Sequence, residues 1–226
     1  MPHKLLTVLL AVSWLLAAGC SKGGGSVSGT PDEAAEARDR ERLERQRQEE
    51  QKQAVAMLQQ LGAAVGLDEN APGKPVVSVK FLVALKVRDD DLRHLKGFTH
   101  LQELELVGTS VAGPGLANLK ELTELRKLNL QVTKVSDESL ANLKGLTALR
   151  QLDLSGTQVT DRALEHIKGL SQLESLHLLN TRVTDKGLAQ LRGLVNLQFL
   201  WLGDLKVSDG AVKELQDALP KVKVLR

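Results

Sequence analysis

LQELELVGTSVAGPGLANLKELTEL, residues 101–125, decides how the chain is read, because it returns. Leu125 opens LRKLNLQVTKVSDESLANLKGLTA and Leu149 opens LRQLDLSGTQVTDRALEHIKGLSQ. Leu173 opens LESLHLLNTRVTDKGLAQLRGLVN and Leu197 opens LQFLWLGDLKVSDGAVKELQDA. The period is 24 residues, without slippage across these copies. One such unit cannot bury its own apolar face, so stacked copies must share a continuous core.

Spacing assigns roles within each copy. Leu104 and Leu106, and their equivalents at 128 and 130, 152 and 154, 176 and 178, and 200 and 202, are the inward positions of a short strand. Residues between them must face the other way. Thr109, Thr133, Thr157 and Thr181 are expected to hydrogen-bond backbone in the following turn, and Val111, Val135, Val159, Val183 and Val207 to plug the core. Asp89, Asp137, Asp161, Asp185 and Asp209 each precede a helical L-x-x-L stretch and are read as helix N-caps, with the preceding Ser or Thr able to share or take the cap. Lys96, Lys120, Lys144, Lys168 and Arg192 fall near helix ends, where a cation complements the macrodipole. Gly97, Gly145, Gly169 and Gly193 follow as expected left-handed caps. The copy at 101–125 departs from its siblings: Ala112-Gly113-Pro114 replaces Ser/Thr-Asp, and Pro114 is expected in the first helical turn.

The pattern L-x-x-L-x-L-x-x-T-x-V-T/S-D-x-x-L-x-x-L-x-x-L resembles leucine-rich repeats of the ribonuclease-inhibitor-like and cysteine-containing subtypes, with Thr for Cys. It looks especially like the Thr-Val-Thr-Asp repeats of Planctomycete bacterial proteins. The resemblance covers residues 54–226. It implies an α/β leucine-rich repeat solenoid, with a curved parallel sheet on the concave side and helices on the convex side. Protein binding is implied only weakly, since fold does not fix function.

Residues 54–79 read as the N-terminal cap that an array needs, and 80–226 as repeats. The cap has an amphipathic helix (Val55, Leu58, Leu61) stopped by Gly62, then strands over 63–67 and 76–82. Leu82, Val87 and Leu92 precede Leu106, Val111 and Leu116 by 24 residues, which suggests a degenerate first repeat in the same phase. At the other end Leu219, Val222 and Leu225 continue the leucine spacing with one residue inserted. Val224 and Arg226 are expected to form a short charged edge.

In that phase three outward columns cross the sheet. One runs Phe81, Glu105, Asn129, Asp153, His177, Trp201; the next runs Val79, Glu103, Lys127, Gln151, Ser175, Phe199; the third runs Val83, Val107, Gln131, Ser155, Leu179, Gly203. Aromatics make up only 2% of the chain, so Phe199 and Trp201 facing outward beside His177 and Leu179 are the strongest binding signal. Trp201, Phe199, His177, Leu179 and Asp153 are therefore the candidate protein-binding residues. The alternative is that the last strand and Arg226 cover the two aromatics, with the guanidinium stacked on the indole. Asp153, His177 and Ser175 fall together and invite a hydrolase reading. An open sheet offers no oxyanion hole, strained nucleophile turn or enclosed pocket, so catalysis is not expected. No cofactor or metal is expected.

The net charge of +2 argues against nucleic acid as a partner. The single cysteine, Cys20, excludes an internal disulfide. It ends the stretch MPHKLLTVLLAVSWLLAAGC, with Lys4 as the positive start, an apolar run over 5–16, and Ala17, Ala18 and Gly19 before the cysteine. This resembles a bacterial lipoprotein signal, although Leu16 stands four residues before the cysteine where three is commonest. The resemblance implies a signal peptide over 1–19 and a lipid, palmitate included, on Cys20. Ser21 resembles the outer-membrane sorting pattern of Gram-negative lipoproteins. Residues 20–31 are a Gly/Ser tether and 32–53 a charged helical spacer lacking a coiled-coil seam. The chain is thus expected to be a monomeric, membrane-anchored protein–protein interaction module in the cell envelope. It would sit on the outer (or inner) membrane and face periplasm or exterior. The alternatives are a structural envelope spacer and an enzyme inhibitor gripping its target on the concave face.

Overall fold

The structure, a computed structural model, describes residues 31–81 and 86–226, with side chains from residue 35 onward. The leader over 1–19, Cys20, the tether up to residue 30, Leu82 and Val83 lie outside the described residues. The chain divides into two compact units, 1–42 and 43–226.

Helix α1 spans Pro31–Gln60. The charged run and the cap helix are therefore one element, with no boundary at 53/54. The reason is chemical: no Gly or Pro interrupts 32–60, and Glu, Arg, Gln and Ala all favour helix. In the first unit its side chains are solvated, and Arg40 pairs with Glu36 one turn back at 3.2 Å. In the second unit Leu58 is fully buried, with Val55 and Leu61 packed beside it. Gly62 (φ +89°) then turns the chain as a left-handed residue can.

Strands β1 (Ala63–Leu67) and β2 (Val76–Phe81) form an antiparallel hairpin. From β2 onward the sheet is parallel: β3 (Glu103–Glu105), β4 (Lys127–Asn129), β5 (Gln151–Asp153), β6 (Ser175–His177), β7 (Phe199–Trp201) and β8 (Lys223–Leu225), paired in chain order. The intervening segments carry short helices. These are 3-10 turns at Asp89–Leu95, Pro114–Leu119 and Asp137–Leu143, and α-helices α2 (Asp161–Ile167), α3 (Asp185–Gln190) and α4 (Asp209–Ala218) later. The repeat leucines are almost completely buried in one continuous core. Each is a side chain whose burial stabilises by roughly 1.5–3 kcal/mol. Each turn threonine donates to the carbonyl three residues back, as Thr133 Oγ1 does to Leu130 at 2.7 Å. Of the glycines expected as left-handed caps, only Gly97 has positive φ.

Two register details differ from the sequence reading. Lys80 pairs with Glu105 and Val79 with Leu104, an offset of 25. Val87 keeps the offset of 24, accepting from Ser110 as Val111 accepts from Lys134. One extra residue therefore lies between Phe81 and Val87. A one-residue slip exchanges the two faces of a strand: Val79 and Phe81 are buried, and Ser78 and Lys80 face outward in their place. At the other end Val224, not Leu225, pairs with Leu200, which puts Leu225 beside Trp201.

The aspartate column also does something other than expected. Thr160, Thr184 and Ser208 are the N-caps, and each aspartate is the first residue of its own helix. Its carboxylate reaches into the next repeat. Asp137 accepts from Thr160 N–H and Oγ1 at 2.7 Å each, Asp161 from Thr184 at 2.8 and 2.7 Å, and Asp185 from Ser208 at 2.8 Å twice. Asp89 gathers three amides, of Ala112, Gly113 and Gly115. The ladder is interrupted where Gly113 replaces the aspartate. There Ser139 substitutes: its hydroxyl accepts from Ser136 N–H at 3.0 Å, and it fills the space a Cβ on Gly113 would need. Pro114 does open its helix, with Gly113 as N-cap.

Candidate functional site

The outward side chains of β2 to β8 build the concave face, and register brings them into rows. The first half is an ionic cluster. Lys127 Nζ donates to Glu103 at 2.6 Å and Glu105 at 2.7 Å, while Lys80 Nζ lies 2.5 Å from Glu103. Partial burial pushes the Glu103 carboxyl up. The hydrogen bonds and charges of Lys127 and Lys80 outweigh that and hold it below the usual value. The Lys127 ammonium is held above its usual value by hydrogen bonds to Glu103 and then Glu105, against the cost of its burial.

The second half is aromatic and apolar. His177 stacks on Trp201, with ring centroids 5.3 Å apart and planes at 23°. Leu225 lies on the far side of Trp201 in register, and the Lys223 ammonium sits 5.9 Å above the Phe199 ring. Phe199 and Trp201 are more than a third exposed, at 38% and 37%. Arg226 does not stack on the indole. Its guanidinium binds Asp209 and the Val207 carbonyl instead. Leu179 stands half-buried in the turn after β6, leaning over Gly203, whose missing side chain leaves it room. Ser155, expected outward, is buried.

Asp153, His177 and Ser175 do come together. His177 Nε2 is 3.2 Å from Ser175 Oγ, and His177 Nδ1 is 3.8 Å from Asp153 Oδ2. The second distance is too long for a hydrogen bond. The Ser175 amide is already given to the Arg150 carbonyl, so it cannot stabilise an oxyanion. The three side chains are thus neighbours without a continuous hydrogen-bonded relay. Between the two halves lies a depression of about 170 Å³, lined by Lys127, Asn129, Gln151, Asp153 and His177. A larger cavity of about 470 Å³, between α1 and the hairpin at Val55, Gln59 and Leu67, shares no lining residue with it. Among the described residues no three His, Cys, Asp or Glu side chains gather as a metal site requires.

No protein-family model matches the chain, and no curated protein matches it. Solved structures do. An internalin of Listeria monocytogenes, InlF, matches with a TM-score of 0.51 and 26% identity, over 59% of this chain and 36% of that one. Internalin C2 of the same organism matches with a TM-score of 0.51 and 20% identity, over 76% and 80%. The fold is a leucine-rich repeat solenoid. The chain spans about a third of the first internalin's length.

Sequence reasoning placed Trp201, Phe199, His177 and Asp153 on one face, and the structure does too. It missed Lys80, Lys223 and Leu225 as members of that face. Counting 24 residues on from Phe199 and Trp201 reaches Lys223 and Leu225, so the repeat period held the signal.

Proposed function

We propose that the protein is a membrane-anchored protein–protein interaction module. In this reading a lipid on Cys20 holds it to the outer or inner membrane of the cell envelope, and the repeats face the periplasm or the exterior. One observation carries the binding role: Phe199 and Trp201 stand exposed together on a strand where no core needs them. Exposed aromatics flanked by apolar and polar neighbours make an anchor with a polar rim. The shared architecture with internalins supports the same reading. The anchor rests on the leader and the single cysteine, and kinship with Planctomycete Thr-Val-Thr-Asp repeats belongs to the same proposal.

The test is affinity capture from the native envelope with the full chain and with Trp201→Ala and Phe199→Ala. Loss of a captured protein on mutation supports the reading. Capture that ignores both aromatics and needs residues 32–53 points to the second reading, an envelope spacer working through α1, which its solvated, uninterrupted charged surface favours. Labelling cells with a radioactive fatty acid tests the anchor: the label should be absent from Cys20→Ala.

A further inference from the structure

On the concave face the carboxylates are not treated alike. Glu103 and Glu105 are each met by a lysine ammonium. Asp153, only 19% exposed, has no such partner among the described residues. Its Oδ1 accepts from Ser155 N–H at 2.8 Å, and its Oδ2 has only His177 Nδ1 at 3.8 Å. Lys127 borders the same depression but is committed to the two glutamates. A partly desolvated carboxylate oxygen thus lies at a depression of about 170 Å³, with no hydrogen bond to it among the described residues and His177 Nδ1 3.8 Å away.

The surroundings select what fits. Asn129 has its carbonyl oxygen occupied by Gln131 N–H at 2.9 Å, and Gln151 stands in the row beside it. His177, stacked on Trp201, forms one wall. An anion entering here meets uncompensated negative charge, whereas a cation completes it. A guanidinium suits better than an ammonium, because it is planar, less strongly hydrated and able to grip a carboxylate through two N–H groups. Toward Phe199 the sign reverses, since Lys223 covers that ring, so a basic group is directed to Asp153 and not to the edge. Trp201 lies two strands from Asp153 and Leu225 three, roughly 10 and 14 Å at the usual strand spacing.

Building on the protein-binding reading, we infer that the partner of the concave face is a peptide segment of defined chemistry. It places an arginine side chain against Asp153 and an apolar side chain about 10–14 Å away on the Trp201–Leu225 ridge. The pairing sets orientation as well as affinity, because only one end of the segment can be basic.

The experiment selects displayed random peptides on the purified full chain, on Asp153→Asn and on Trp201→Ala. Wild type should enrich sequences with one arginine and a bulky apolar residue. Asp153→Asn should keep the apolar preference, lose the arginine, and bind the wild-type winners at least tenfold more weakly. Asp153→Lys should recover affinity for a winner whose arginine is changed to glutamate, which separates a direct pair from a folding defect. Winners without a basic residue, or an arginine preference unchanged in Asp153→Asn, overturn the inference while leaving the protein-binding reading standing. A wild type that selects nothing, or winners indifferent to Trp201→Ala, overturn both.

Discussion

Strands β2 to β4 and strands β5 to β8 present the same number of outward positions per strand, yet they behave differently. In the first group four long charged side chains, Lys80, Glu103, Glu105 and Lys127, satisfy one another. In the second the outward residues include short and aromatic side chains that are not paired in this way: Asp153 has no lysine or arginine partner among the described residues, and Phe199 and Trp201 stay more than a third exposed. A surface that answers its own charges gains little from a partner, because binding must first break what is already paired. A half that is preorganised by stacking but unsatisfied gains much. On the proposed reading, two halves of one sheet, built on one backbone repeat, are thus divided into a self-contained part and a receptive part by the residues between the leucines.

The largest expected effect tests that division directly. Replacing Phe199 and Trp201 together by Ala should weaken partner binding by about 2–4 kcal/mol, the range of buried aromatic anchors. That is roughly thirty-fold or more in Kd. Glu103→Gln should change it less than about threefold, as for a rim contact. Titration calorimetry with the captured partner decides it. Equal losses from both halves would mean that the whole face is the site.

The halves are joined where the β4 repeat meets the β5 repeat, and Asp137 stitches that junction through Thr160. Asp137 is buried, so Asp137→Ala leaves two donors without their acceptor and should cost about 2–3 kcal/mol of stability. Asp209, the last of the column, is solvated, and its replacement should fall within about 0.5 kcal/mol. Urea unfolding of the two variants measures the contrast. Similar losses would show that the carboxylates act as ordinary helix caps and not as ties between repeats.

How far the sequence reaches follows the same boundary between leucines and the residues between them. A strict period names every inward leucine from Leu101 to Leu202, because stacked repeats bury the same positions each time. It fails at the N-terminal end, where one extra residue between Phe81 and Val87 reverses which residues of β2 face out. Identical spacing over the middle gives no hint of that slip. At the other end β8 keeps the offset of 24, and it is the leucine spacing of Leu219, Val222 and Leu225 that misleads, since Leu225 lies beside Trp201 on the concave side. The aspartates were legible as a column but not as ties, since a cap and a tie at the first helical turn demand the same residue. Which of the concave charges pair is set by side-chain reach across strands. Lys127 touches both glutamates and is thereby committed away from Asp153, with which it shares a depression.

The ionic half should also be visible in the pH dependence of stability. Glu103 is held below its usual value of 4.5, so its contribution is complete above that value and is lost as pH falls through the depressed one. Lys127 is held above 10.5, so its share is complete below that pH and is lost as pH rises beyond it. Glu103→Gln should therefore flatten the acid side of the stability profile and lower the plateau by about 1 kcal/mol, after allowance for solvent screening. Binding near Trp201 should not follow it. A variant that retained the full wild-type acid slope would remove this cluster as a source of stability.

The smallest effect concerns Val132, at the turn after β4 on the border of the two halves. Its φ is +55°, a left-handed conformation that a β-branched residue adopts only under strain, and its side chain is 60% exposed. The equivalent positions are Gly108, Gly156 and Asn180, all with positive φ and all residues that tolerate it. Left-handed geometry costs an ordinary residue about 1–2 kcal/mol. Val132→Asn should recover roughly 0.5–1 kcal/mol of that, read as a raised Tm, because the core packing stays as it is. Binding then interprets the strain. If Val132→Asn is more stable and binds the partner as before, the valine is incidental and the receptive half ends at Asp153. If it is more stable and binds more weakly, the exposed isopropyl group touches the partner, and the boundary between the halves moves to β4.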